Sequence, residues 1–180
     1  MTYYGGKELA TSFRIVRGNT IQVAEDIPEA SYGFQAASGS RTIGQTLVHI
    51  AVFYRLQAHI IQSGITDLTK VNFPALIGAI ISEEATPRSK AEILALLKSE
   101  GEVFATYLEA LPESKLAEIV SMYPGATPAS KSRLEMLMTV KEHEMHHRGQ
   151  LMLLQRILGL TPHLTRQMQE RMAATAAPKA

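Results

Sequence analysis

Four segments of this chain repeat their apolar residues at helical spacing, and no stretch shows a convincing strand alternation. A chain patterned this way buries its stripes against one another, which predicts an all-α four-helix bundle. The segments cover residues 7–26, 42–62, 89–111 and 128–158. In the first, the stripe is Leu9, Phe13, Val16, Thr20 and Val23, interrupted by Gly18-Asn19 and followed by Pro28. In the second it is Thr42, Thr46, His49, Phe53, Leu56 and Ile60; Thr42 and Gln45 have capping-box spacing, and Gly64 is the stop. The third begins at a second such box, Ser89 with Glu92, carries Ile93, Leu97, Phe104, Leu108 and Leu111, and ends at Pro112. The fourth is predicted to start with Thr127 as N-cap and Pro128 at the first helical position, and to stop at Gly159 and Pro162.

The connection between the second and third segments, residues 63–88, is long enough to cross the whole domain, so these helices need not be antiparallel neighbours. Its apolar stretch 73–81 reads as a short helix. A single domain is expected over residues 1–163. A partly disordered tail is expected over 164–180, with a turn or two through Leu164, Met168 and Met172 and disorder from 173 on.

Charge narrows the function. Lys+Arg total 18 and Asp+Glu 17, so at net charge +1 the chain has no global field for DNA, RNA or an anionic membrane. The opening Met1-Thr2-Tyr3-Tyr4-Gly5-Gly6 does not read as a signal peptide, and no apolar run approaches the ~18 residues a membrane helix needs. Cysteine is absent, which excludes disulfides, cysteine–zinc sites, iron–sulfur clusters and a cysteine nucleophile, and fits a cytoplasmic protein. The eight methionines are assigned to packing; Met136, Met145 and Met152 have spacings that suit a dimer seam.

The chemistry sits in the histidines. Residues four apart on a helix differ by only about 40° in direction, so His143 and His147 stack one above the other. They fall in the apolar row Met136, Val140, His143, His147, Leu151, Leu154 and Leu158, and His49 falls in the row of the second helix. Three imidazoles from two helices therefore point toward one interior. Unpaired buried polar groups cost about 1–3 kcal/mol each, a cost that a shared metal ion removes. Three neutral imidazoles leave a divalent ion one open position, as in catalytic zinc sites. Zinc is the first candidate, with nickel, manganese and iron as alternatives. Thr46, Glu144, His146 and Gln150 are the candidates for lining the pocket or orienting a ligand's other ring nitrogen. His59 and His163 are expected in solvent. Arg148 is expected to meet solvent, a loop or a partner chain, with anion binding as the alternative.

His143-Glu144-Met145-His146-His147 also matches H-E-x-x-H, in which Glu144 would be the general base of a metalloprotease. The context is wrong for it. Gln150 and Leu153 stand where the longer motif requires Gly and His, and Glu170, the only downstream glutamate candidate, lies past the Gly159/Pro162 stop.

Thr46-Leu47-Val48-His49-Ile50-Ala51, the run from Glu142 to Leu151, and Leu158-Gly159-Leu160-Thr161-Pro162 together resemble the DinB/YfiT-like family. The resemblance implies an up-down-down-up bundle with a long crossover after the second helix. It also implies a metal held by three histidines, by position His49, His143 and His147, and a homodimer. Characterised members of that family include thiol S-transferases and a mycothiol-dependent isomerase. The expected function is accordingly a metal-dependent, thiol-using S-transferase acting on small electrophiles, its low-molecular-weight thiol supplied as cosubstrate. Metal-dependent hydrolysis and non-catalytic metal or small-ligand binding are the alternatives.

Overall fold

The computed structural model describes residues 4–176. Its long helices are α1 (Gly6–Asp26), α2 (Ile43–Val52) continued by α3 (Tyr54–Gln62), α5 (Lys90–Glu109) and α7 (Arg133–Ile157). The connection after α3 carries α4 (Phe73–Ala85), and short α6 (Glu113–Leu116) follows α5. Two three-residue strands, β1 (Ile119–Ser121) and β2 (Ser130–Ser132), pair antiparallel before α7, and α8 (His163–Ala176) follows it.

Local chemistry sets most helix starts. The Thr42 hydroxyl accepts from Gln45 N–H at 3.1 Å, and Thr42 N–H donates to the Gln45 side chain at 3.0 Å. Ser89 and Glu92 form the same reciprocal cap on α5. For α7 the expected start is corrected: Ser132 with Glu135 caps it, while Pro128 lies in the loop between β1 and β2 after a cis peptide. The strands were unread because three residues are too few for alternation to show. Gly18-Asn19 does not interrupt α1. At Phe53 the backbone keeps helical angles (φ −57°, ψ −34°), but Leu56 N–H donates to Phe53 O, tightening the turn between α2 and α3.

The order and direction of the helices follow from their contacts. Both α1 and α2 pack against α5 and against α7. α1 runs against α5, with Lys98 paired to Glu25 at one end and Gly6 seated on Leu108 O at the other. A Cβ at Gly6 would lie 2.3 Å from that oxygen, so only glycine permits the approach. α2–α3 runs with α5, Gly44 lying beside Ile93 and the Tyr54 hydroxyl bonding Glu100. α7 runs with α1, Lys141 reaching Ser12 and Arg148 reaching Val16 O. The bundle is up-down-down-up, and the crossover between its two parallel central segments contains α4. No helix among the described residues is long and apolar enough to cross a membrane.

One ion pair crosses the core. Arg17 of α1 and Glu144 of α7 are 4% and 2% exposed and joined by bonds of 3.0–3.1 Å. The same guanidinium donates to Leu97 O of α5 at 2.9 Å and to Ile50 O of α2 at 3.1 Å. Gly101 makes room for it, since a Cβ there would lie 2.8 Å from Arg17 Cγ.

The C-terminal segment departs from expectation. α8 is helical through Ala176, so the disorder expected from 173 on fails for 173–176; residues 177–180 lie outside the described residues. His163, expected in solvent, is buried at the start of α8, with Nε2 3.1 Å from Asn19 Oδ1 and, among the described residues, no partner for Nδ1. Arg166 ties the same helix to Asp26 at 2.8 Å.

Two measurements test this packing. Arg17→Met or Glu144→Leu alone is expected to cost ~3–5 kcal/mol in urea unfolding, because each strands a buried partner. The double variant Arg17→Met/Glu144→Leu is expected to cost less than the sum of its singles. Burial, only partly offset by Asp26, holds His163 below its ordinary pKa. The unfolded chain therefore takes up a proton that the folded one refuses, and stability falls as pH drops below about 6.5. His163→Gln is expected to make that acid slope of the urea midpoint shallower.

Candidate metal centre

α2 and α7 run antiparallel across the bundle, and their inward rows bring His49, His143 and His147 together. His143 Nε2 lies 3.0 Å from His49 Nε2 and 3.1 Å from His147 Nε2, with one ligating atom from each residue within 4.8 Å of the others. The outer nitrogens of two rings are held from behind. His49 Nδ1 is 2.7 Å from Glu84 Oε1, and His147 Nδ1 is 2.7 Å from Gln150 Oε1. A carboxylate and an amide oxygen only accept, so both Nδ1 atoms carry the proton and both Nε2 atoms present lone pairs. Phe53, one turn after His49, lies flat on the His143 ring with centroids 3.5 Å apart and planes 10° from parallel.

These rings do not satisfy one another. The single proton available to His143 Nε2 faces two acceptors, which leaves lone pairs opposed at about 3 Å. A divalent ion removes the conflict. Tetrahedral coordination at 2.0–2.1 Å places nitrogens ~3.3 Å apart, close to the Nε2 separations of 3.0 and 3.1 Å. The protonation states agree with this role. Burial drives His143 down to about 3, helped by the charges of His147 and His49. Burial also lowers His49, with Arg41 adding to the effect, and it lowers His147. All three are neutral at physiological pH, as metal ligands must be. The donor set thus fits a divalent ion.

A cavity of about 710 Å³ opens beside the cluster, with His147, Gln150, Thr46, Gln45, Arg41 and Glu84 among its polar lining and Ile81, Leu153 and Leu154 among its apolar lining. Thr46 lines it, its hydroxyl donating to Thr42 O at 2.9 Å. Gln150 Oε1 bonds His147 Nδ1, and His146, exposed, accepts from Gln150 Nε2 at 3.2 Å.

Glu144 is not part of this site. As the residue after His143 it faces away from the cluster, and its carboxylate is consumed by Arg17 in the core. The H-E-x-x-H pattern therefore supplies no general base here. Arg148, expected at solvent, a loop or a partner, is half-buried against Val16 O of α1, and His59 is exposed as expected.

Sequence reasoning missed Glu84, Arg41 and Phe53 as parts of the site. Glu84 carried a readable signal. On α4 it follows Ile77, Ile80 and Ile81 at helical spacing, a carboxylate in an apolar row, which is the same anomaly that singled out the histidines. Arg41 lies in the approach to α2, where no periodicity exists to read.

Glu84 fixes the tautomer and orientation of His49, a role that commonly carries a ten- to hundredfold share of metal affinity. Glu84→Gln is expected to weaken zinc binding by about that factor in a competitive chelator titration. His146→Ala, which removes an edge-on ring contact with His147 and an acceptor for Gln150 but none of the three converging imidazoles, is expected to change it by no more than a few-fold.

Comparison with known proteins agrees with this architecture. The DinB family model matches residues 1–178. The uncharacterized protein YjoA of Bacillus subtilis is 24% identical over 156 residues, covering 86% of this chain and 91% of its own. The crystal structure of YjoA superposes with a TM-score of 0.62 at 22% identity, covering 86% of this chain and 94% of that one. YfiT from Bacillus subtilis, described as "a probable metal-dependent hydrolase with an unusual four-helix bundle topology", superposes with a TM-score of 0.66 at 15% identity, covering 89% and 91%. With the match running over nearly its whole length, the chain belongs to the DinB family.

Proposed function

We propose that this protein is a divalent-metal-dependent enzyme acting on small molecules, with His49, His143 and His147 as ligands and the adjoining cavity as the substrate site. The carrying observation is the convergence of three neutral imidazoles whose lone pairs have no other use. When bound, a divalent ion held by three uncharged ligands keeps its full charge and an open position, and supplies Lewis acidity that favours the ionised form of a nucleophile. The chain's own residues do the rest. Glu84 and Gln150 hold two imidazoles in the ligating tautomer. Phe53 covers a face of the third. Ile81, Leu153 and Leu154 give the cavity an apolar wall, while Thr46 and Gln45 offer polar contacts.

Hydrolysis, with water as nucleophile, is the first reading, in line with the description of YfiT. Transfer of a low-molecular-weight thiol to a small electrophile is the second, and one observation favours it. Among the described residues lining the cavity, the only carboxylate is Glu84, and His49 and Arg41 occupy it. No carboxylate is left to take a proton from the nucleophile. A thiol of pKa about 8.5 needs less help to ionise than water at about 15.7. The chain has no cysteine, so the sulfur comes from a cosubstrate.

The test measures metal content and turnover together, on untagged wild type and His49→Ala. About one divalent ion per chain is expected in the wild type, with loss of both ion and turnover in the variant while helical circular dichroism persists. Activated esters report hydrolysis, and chlorodinitrobenzene with glutathione or mycothiol reports thiol transfer. Wild type that neither carries nor takes up zinc, nickel or manganese would overturn the proposal.

A further inference from the structure

Among the described residues lining the cavity, Arg41 is the one arginine or lysine. It stands immediately before Thr42, the N-cap of α2. A guanidinium has two edges able to grip a carboxylate, Nε with Nη2 and Nη1 with Nη2. Glu84 takes the first: Arg41 Nε donates to Oε2 at 2.6 Å and Nη2 to Oε1 at 3.3 Å. The second edge is uncommitted, since Nη1 makes no hydrogen bond with any described residue, and the side chain is 40% exposed.

The other arginines nearby are engaged elsewhere. Arg148 is turned onto Val16 O, Arg88 onto Glu83, and Arg55 onto Glu83 and Glu100. Arg41 is also held in place. The Glu84 carboxylate that binds it is the one that binds His49, so its position is fixed relative to the histidine cluster. Its charge is felt there, since it contributes to lowering all three imidazoles. With a metal bound, the Arg41–Glu84 pair is neutral as a unit and the site carries the ion's net positive charge, which favours an anionic guest. Ile81, Leu153 and Leu154 line the same cavity and suit an apolar body.

We propose that Arg41 is the specificity-determining residue of this site, and that the cavity takes small molecules bearing a carboxylate at one end of an apolar body, the carboxylate seated on the free Nη1/Nη2 edge. This rests on reading the cavity as the substrate site. It deepens that reading by naming the substrate class.

The experiment is equilibrium binding of 4-phenylbutyrate and its neutral analogue 4-phenylbutyramide, followed by calorimetry or by amide chemical shifts, on zinc-free and zinc-loaded protein. The zinc-free arm separates this proposal from the metalloenzyme reading, because Arg41 and the cavity belong to the chain and not to the ion. Zinc-free wild type is expected to bind the acid at least about tenfold more tightly than the amide, the scale of one charge-assisted contact. Arg41→Gln is expected to abolish that preference, and Arg88→Gln to retain it. Arg41→Lys, which keeps the charge and loses the two-pronged edge, is expected to retain only part of it, and it serves if Arg41→Gln loses its helical signal. No binding of the acid at millimolar concentration, equal affinity for acid and amide, or a preference that survives in Arg41→Gln would each overturn the assignment. Failure to bind zinc with the acid preference intact would overturn the metalloenzyme reading and leave the carboxylate site standing.

Discussion

The Arg17 guanidinium reaches all four bundle helices at once. It starts on α1, closes on a carboxylate of α7, and donates to main-chain carbonyls of α2 and α5. A hydrophobic core tolerates small slides between helices; a charged knot with fixed bond lengths does not, because every slip strands a charge in low dielectric. Its anchor points matter for the site. Ile50 follows His49, and Glu144 follows His143. The register that satisfies Arg17 is thus the register that brings the Nε2 atoms of two of the three imidazoles together. The residue with the motif-like position, Glu144, serves the chemistry through this placement and not through its carboxylate.

On the far side of that knot the polar groups are organised in a second chain, Arg41 to Glu84 to His49, with Gln150 and His146 behind His147. Its effect is to leave lone pairs pointing inward. Neutral, packed together and, for His49 and His147, held in one tautomer from behind, the three rings are arranged to suit an ion before any ion arrives. The ordering cost has been met by folding, which is how pre-organised sites gain affinity.

The bundle and the three histidines were legible because both are periodic. A stripe of apolar residues states which face is inside, and a histidine interrupting the stripe is then placed inside with it; His49, His143 and His147 follow from that alone. What escaped is what periodicity does not encode. Whether His163 is wet or buried depends on where α8 lands against Asn19, a tertiary fact. The strands around Thr127–Pro128 were lost to the proline, a good helix-start signal placed five residues before the true start at Arg133. Glu144 reads from sequence as a candidate for lining the pocket or orienting a ligand because its position between the histidines carries no information about what lies across the core, here Arg17 at 127 residues' remove. Arg41 could be found only once α4 had been seen to bring Glu84 to it.

The crossover makes two different parts of the chain answerable for two different properties. The three histidines come from α2 and α7, whose register the core dictates. Much of the cavity wall comes from elsewhere: Ile81, Glu84 and Ala85 from α4, and Ala36, Ser40 and Arg41 from the loop before α2. Drift in the loop before α2 and the outward face of α4 could reshape what the cavity accepts without disturbing the histidines, and drift in the core could alter stability without altering preference. The long connector that breaks the simple up-down pattern is in this sense a replaceable cassette. A lineage built on this bundle could diversify its chemistry by editing a helix that is not one of the four that hold it together.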